Sequence, residues 1–163
     1  MTSMFLRSAI MFGTLLLSSG VFGQSKYSGP RPPKPDVPYL LHAENLVPTE
    51  TAEAREESRK NNTTYTVPGA ASSARTPLAE PIFLFQSQSI SPEKLQLYQL
   101  EVKDGNREIE FPENRNKAPR PYPLSITRLA EGLYRVEASA TLENGQYVLT
   151  PTGSNTVFLF EVY

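Results

Sequence analysis

Leu142-Glu143-Asn144-Gly145-Gln146-Tyr147-Val148-Leu149, continued by Thr156 to Tyr163, reads as the last corner and last two strands of a β-sandwich. Gly145 suits a turn, and Tyr147 and Leu149 share one face of a period-two strand. A long apolar strand, Val157-Phe158-Leu159-Phe160, then follows. Everything from about Leu40 onward reads as strands that need this pair to close a core.

Working back towards Leu78, the β signal stays dense. Ile82-Phe83-Leu84-Phe85 is apolar on both faces, as in a central strand. Ser91-Pro92-Glu93-Lys94 has the form of one helical turn, with Ser91 as its cap and Pro92 first. Tyr98, Leu100 and Val102 alternate with Gln99, Glu101 and Lys103, and after Asp104-Gly105-Asn106 the residues Ile109 and Phe111 alternate with Glu108 and Glu110. That is a hairpin with two open registers. A two-residue loop sets Glu101 opposite Glu108, whereas a four-residue loop sets Lys103 opposite Glu108 and is electrostatically better. Leu124-Ser125-Ile126 and Tyr134 to Ala138 flank Glu131-Gly132 as another hairpin. Strand signals about ten residues apart, with no helical period, are the mark of a sandwich.

Before Leu78 the pattern is thinner. Val37 to His42 is a short apolar run expected at a sheet edge, because Pro38 cannot donate to a ladder. From Pro48 and Thr49 to Lys60 the charges run acidic first (Glu50, Glu53) and basic last (Arg59, Lys60), which predicts one short helix aligned with its dipole. Ala52 and Ala54 are its only apolar side chains, so the expected helix is solvated. Asn61 to Thr64 holds two overlapping glycosylation sequons, meaningful only in a eukaryotic secretory path. Thr63 to Val67 is a candidate strand, and Pro68 to Pro77 a loop.

The chain has 163 residues, room for one domain. Residues 1–23 have the form of a secretory signal: Arg7 is the single charge, Ala9 to Leu17 is apolar, and cleavage is expected between Gly23 and Gln24. The apolar run falls short of the about 20 residues of a membrane span, so no span is expected after signal removal. Residues 24–38 form a linker, with Pro30, Pro32, Pro33, Pro35 and Pro38 favouring an extended, disordered leader. Residues 39–77 then lead into or pack on a sandwich core of residues 78–163. After cleavage fifteen basic residues face seventeen acidic ones, too near neutral to argue for nucleic acid. The chain contains no cysteine, which removes disulfides and thiolate chemistry and tilts the expectation towards a bacterial envelope, periplasmic or extracellular.

Leu142, Gly145, Tyr147 and Leu149 resemble the tyrosine corner of immunoglobulin-like and fibronectin-type sandwiches, in which a Tyr of the penultimate strand bonds back across the corner. Leu149 stands where antibody domains carry Cys, and no Trp is present, so the resemblance implies architecture alone. Pro38 to Pro48, Thr76 to Phe85 and Gly153 to Phe158 together look similar to small exported bacterial proteins of no established activity. That resemblance implies no catalytic residues.

The residues themselves offer little chemistry. His42 is the only histidine, which leaves a transition metal without its usual donors. Asp36 and Asp104 are the only aspartates, too few for a calcium loop. No nucleophile elbow or phosphate loop is present. Glu101, Glu108 and Glu110 are expected on the outward face of their hairpin, where solvated carboxylates do little acid–base work. One surface feature stands out: Arg115, Lys117, Arg120 and Tyr122 in a long loop, a contact for an anionic or sugar-bearing surface with Tyr122 as stacking platform, or else a Pro-stiffened solvated loop. The expectation is a non-catalytic, cofactor-free exported module binding an envelope or extracellular protein or polysaccharide. Two alternatives are a carbohydrate- or cell-wall-binding module using Tyr65 and Tyr122, and a subunit assembling by strand exchange through the Leu40 strand or Thr156 to Tyr163.

Overall fold

The computed structural model describes residues 26–163. The signal segment with its Gly23–Gln24 junction lies outside the described residues. Within them the chain is mainly β, and its strands in order are β1 (Pro38–His42), β2 (Asn45–Pro48), β3 (Glu50–Glu53), β4 (Arg55–Arg59), β5 (Asn62–Pro68), β6 (Arg75–Thr76) and β7 (Ile82–Gln86). They continue as β8 (Leu95–Lys103), β9 (Asn106–Pro112), β10 (Leu124–Ala130), β11 (Leu133–Ala138), β12 (Gly145–Pro151) and β13 (Thr156–Val162). One sheet runs β10-β11-β7-β1-β2 and the other β3-β13-β12-β8-β9-β5-β4, with the short β6 added parallel to β13; all other pairs are antiparallel.

The two sheets meet over a core built from Leu40, Phe83, Phe85 and Val136 on one side and Leu97, Tyr147, Leu149, Phe158 and Phe160 on the other. Phe83 and Phe160 touch edge to face with ring centroids 5.1 Å apart, and Tyr147 stacks on Phe160 at 5.6 Å. Tyr147, Phe158 and Phe160 are buried as the closing stretch requires. Their burial removes large apolar area from water, at about 25 cal/mol per Å2. The Tyr147 hydroxyl donates to the Glu143 carbonyl at 2.8 Å, the bond back across the corner. Burial, with smaller contributions from Tyr122 and Glu143, pushes its phenol up to about 12.

The stretch expected as a solvated helix is β3 and β4. The only helical element among the described residues is the 3-10 turn Pro92–Lys94, where Ser91 makes no side-chain cap bond and its hydroxyl donates to Glu93 instead. Charge order along residues 49–60 favours a helix by tenths of a kcal/mol, and two ladders outweigh it: β3 pairs with β13, β4 with β5. The edge position expected for the Leu40 strand is also corrected. β1 lies between β7 and β2, and Pro38 sits at its first residue, where the missing donor is tolerated. Thr49 closes over this strand start, donating from both N–H and hydroxyl to the Pro38 carbonyl.

The linker ends sooner than its composition predicts. Asp36, at φ 58°, donates its N–H to the Gln86 carbonyl, and its carboxylate accepts from the backbone of Gln88, Ser89 and Ile90 and from the Ser89 hydroxyl. These bonds hold its carboxyl below the usual range, against the opposing effect of burial.

Both hairpins appear as expected, and the open register resolves to the two-residue loop. Glu101 faces Glu108, Val102 faces Arg107, and Lys103 faces Asn106. Asp104 (φ 51°) and Gly105 (φ 77°) supply the paired left-handed residues whose twist matches the strands. Lys103 reaches Glu108 on the diagonal at 3.0 Å, so this register keeps the attraction that favoured the other.

Candidate functional site

In the larger sheet the two end strands, β3 and β4, are joined by Ala54 alone. The sheet therefore curls until its ends meet at Ala54, whose N–H extends the β3–β13 ladder by a bond of 2.8 Å to the Asn155 carbonyl. Alternation along each strand sends one set of side chains to the first core and the other into the curl. The inward set forms a second apolar cluster with Ala54, Val67, Tyr98, Leu100, Val148, Val157 and Leu159 buried.

This inner face is not filled. It leaves a half-open cavity of about 410 Å3 whose wall carries Tyr65, Tyr98, Ile109, Phe111, Val148 and Val157. Phe111 meets Tyr98 and Tyr65 edge to face, at 5.5 and 5.9 Å between centroids. Volume and apolar lining fall within the ordinary range for small-molecule sites.

At one end, where Val67 pairs with Arg107, the cavity meets an ion pair. The Arg107 guanidinium is 1% exposed; it donates to both Glu50 carboxylate oxygens, and to the carbonyls of Gly69 and Pro68. Arg107 holds the Glu50 carboxyl below its usual range, although partial burial opposes the shift. The cation is thereby neutralised. Towards the other end, Gln96 faces Thr150 across the ladder, and Ser154 and Asn155 of the β12–β13 turn complete a rim of uncharged polar groups. Glu56 is the one other charged residue on the lining, and it sits opposite Tyr65 in the β4–β5 ladder. Burial raises the Tyr65 phenol, helped by the Glu56 charge.

The expected loop site is divided. Arg115 and Lys117 are exposed on the turns at residues 114–118, while Arg120 and Tyr122 border a shallow depression with Gln99 and Glu101. Tyr122 is not the open stacking platform expected: its ring meets Tyr147 edge to face at 5.9 Å, and its hydroxyl donates to Gln99. Tyr65 and Tyr122 belong to opposite clusters of the larger sheet and make no common row. His42 Nε2 lies 3.0 Å from Thr76 Oγ1. Among the described residues no three His, Cys, Asp or Glu side chains gather to hold a metal ion. Glu108 and Glu110 line a polar surface with Lys103 and Asn62, on the side of β9 away from the cavity.

Sequence reasoning missed the cavity. Its signal is the apolar set Tyr98, Leu100, Ile109 and Phe111 on one face of the β8–β9 hairpin, but periodicity cannot tell a filled interior from a hollow one.

Fold and site together define a mainly β protein whose larger sheet curls round an apolar cavity. No protein-family model, curated protein or solved structure matches the chain. Among the described residues no helix is long and apolar enough to cross a membrane.

Proposed function

We propose that this chain is an exported, non-catalytic β module of the bacterial envelope that binds a small apolar ligand inside its curled sheet. The observation that carries the binding role is the cavity of about 410 Å3, walled by Tyr65, Tyr98, Phe111 and aliphatic side chains and rimmed by uncharged polar groups. Export rests on the signal-like residues 1–23 and on a chain without cysteine. The bond from Tyr147 to Glu143 supports an immunoglobulin-like corner in the half of the molecule that carries the first core. Carbohydrate binding through Tyr65 and Tyr122 is the weaker reading, because the two rings lie in opposite clusters. Strand exchange through β1 or β13 is weaker too, since each has a partner on both sides within the chain.

Expressed at full length in a bacterium, the protein is expected in the exported fraction with Gln24 as its first residue. The purified protein is expected to brighten N-phenyl-1-naphthylamine, a neutral dye that fluoresces in apolar surroundings. Gln96→Trp, at the cavity rim, is expected to abolish this while leaving the melting temperature within a few degrees. Equal brightening by the variant, or none by the native protein, would overturn the reading.

A further inference from the structure

From the charge and ring arrangement of the cavity we infer that its ligand is an organic cation, an alkyl- or arylammonium whose apolar body fills the curl and whose charged head lies by Glu56 and the Tyr65 ring. This deepens the binding role proposed above and rests on it.

Three observations favour a cation over a neutral or anionic amphiphile. First, the lining contains one guanidinium, Arg107, and its charge is taken up by a two-on-two pairing with Glu50 at 3.0 and 2.8 Å. An anionic head therefore finds no free partner inside. Second, the exposed Glu56 carboxylate stands on the lining with only hydroxyl partners, Ser58 at 3.5 Å and Tyr65, and no ion pair, because the salt bridges of β4 involve Arg55, Glu57 and Arg59, its outward neighbours. Third, Glu56 faces Tyr65 directly, and Tyr65, Phe111 and Tyr98 form a chain of edge-to-face rings. An aromatic ring with a carboxylate beside it is the combination that attracts an ammonium. The remaining polar groups, Gln96, Thr150 and Asn155, are neutral and do not oppose this choice.

The test is displacement of N-phenyl-1-naphthylamine from the purified protein by three amphiphiles sharing one tail: octyltrimethylammonium, octanol and octanoate. The ammonium is expected to displace the dye at about one-tenth the concentration of octanoate, the sum of one ring contact and one partly exposed ion pair. Glu56→Gln, an exposed change that leaves the core intact, is expected to weaken the ammonium about three- to five-fold and octanol hardly at all. Tyr65→Leu keeps the apolar wall and is expected to weaken the ammonium more than octanol. Dye binding with equal displacement by all three, or with the same ranking in Glu56→Gln, would overturn the cation and leave the apolar site standing. Failure of both dye and octyltrimethylammonium to bind, the latter read by calorimetry, would overturn both.

Discussion

Arg107 and Glu50 meet with two parallel hydrogen bonds, Nη1 to Oε2 at 3.0 Å and Nη2 to Oε1 at 2.8 Å, at the point where β9 and β3 face each other across the curl. Fifty-seven positions separate them, so the pair ties the first strand of the larger sheet to a hairpin far along the chain. Breaking such a buried pair from one side strands a charge, at a cost of about 3–5 kcal/mol. Arg107→Ala is expected to approach that loss. Glu50→Gln, on the more exposed partner, is expected to lose less. Urea unfolding of both variants and of the double variant measures the coupling.

The same pair sets an acid limit. Glu50 has its folded carboxyl held below the unfolded value, so its contribution to stability is present above about pH 4.5 and is lost as pH falls through the depressed folded value. Thermal unfolding followed from pH 7 down to pH 2 is expected to show a drop in this window. In Glu50→Gln the drop is expected to be shallower.

Alkali acts through Tyr147. Its phenol is raised from 10 to about 12, so the stability it contributes is full below pH 10 and lost as pH rises towards 12. Absorbance titration at high pH is expected to show a tyrosine ionising near pH 12, together with unfolding. Tyr147→Phe removes the bond to Glu143 at a cost of about 1 kcal/mol, and the late ionisation is expected to disappear with it.

Asp36 fastens the end of the Pro-rich segment to the turn after β7 through its carboxylate. Asp36→Ala frees three backbone N–H groups, those of Gln88, Ser89 and Ile90. Amide hydrogen exchange at these residues is expected to accelerate by at least ten-fold, while the β12–β13 amides stay protected. Uniform acceleration throughout would show that the clasp stabilises the whole fold instead.

Gly105 stands at φ 77° with open space where a Cβ would be. Gly105→Ala is therefore expected to cost about 1 kcal/mol from backbone conformation alone. The urea midpoint is expected to fall with an unchanged slope. A changed slope would mean that the hairpin had moved to another register.

Local patterns carried the strands and turns. Alternation marked β8, β9, β12 and β13, and the Asp104-Gly105 and Glu131-Gly132 turns placed two hairpins. These are period and turn-chemistry signals, which act over a few residues and need no partner to be read. Residues 49–60 misled for the same reason. Their charge order is a local helix signal, while the inward roles of Glu50, Ala52 and Ala54 exist only because β13 and Arg107 arrive from far along the chain. The inner place of β1 and the fastening of Asp36 were likewise settled by partners distant in sequence. Above all, the cavity belongs to the tertiary structure. A strand's period says which side chains share a face, but whether that face meets another sheet or curls round open space depends on how the sheet closes, and closure here runs through β3 and β4, joined by Ala54.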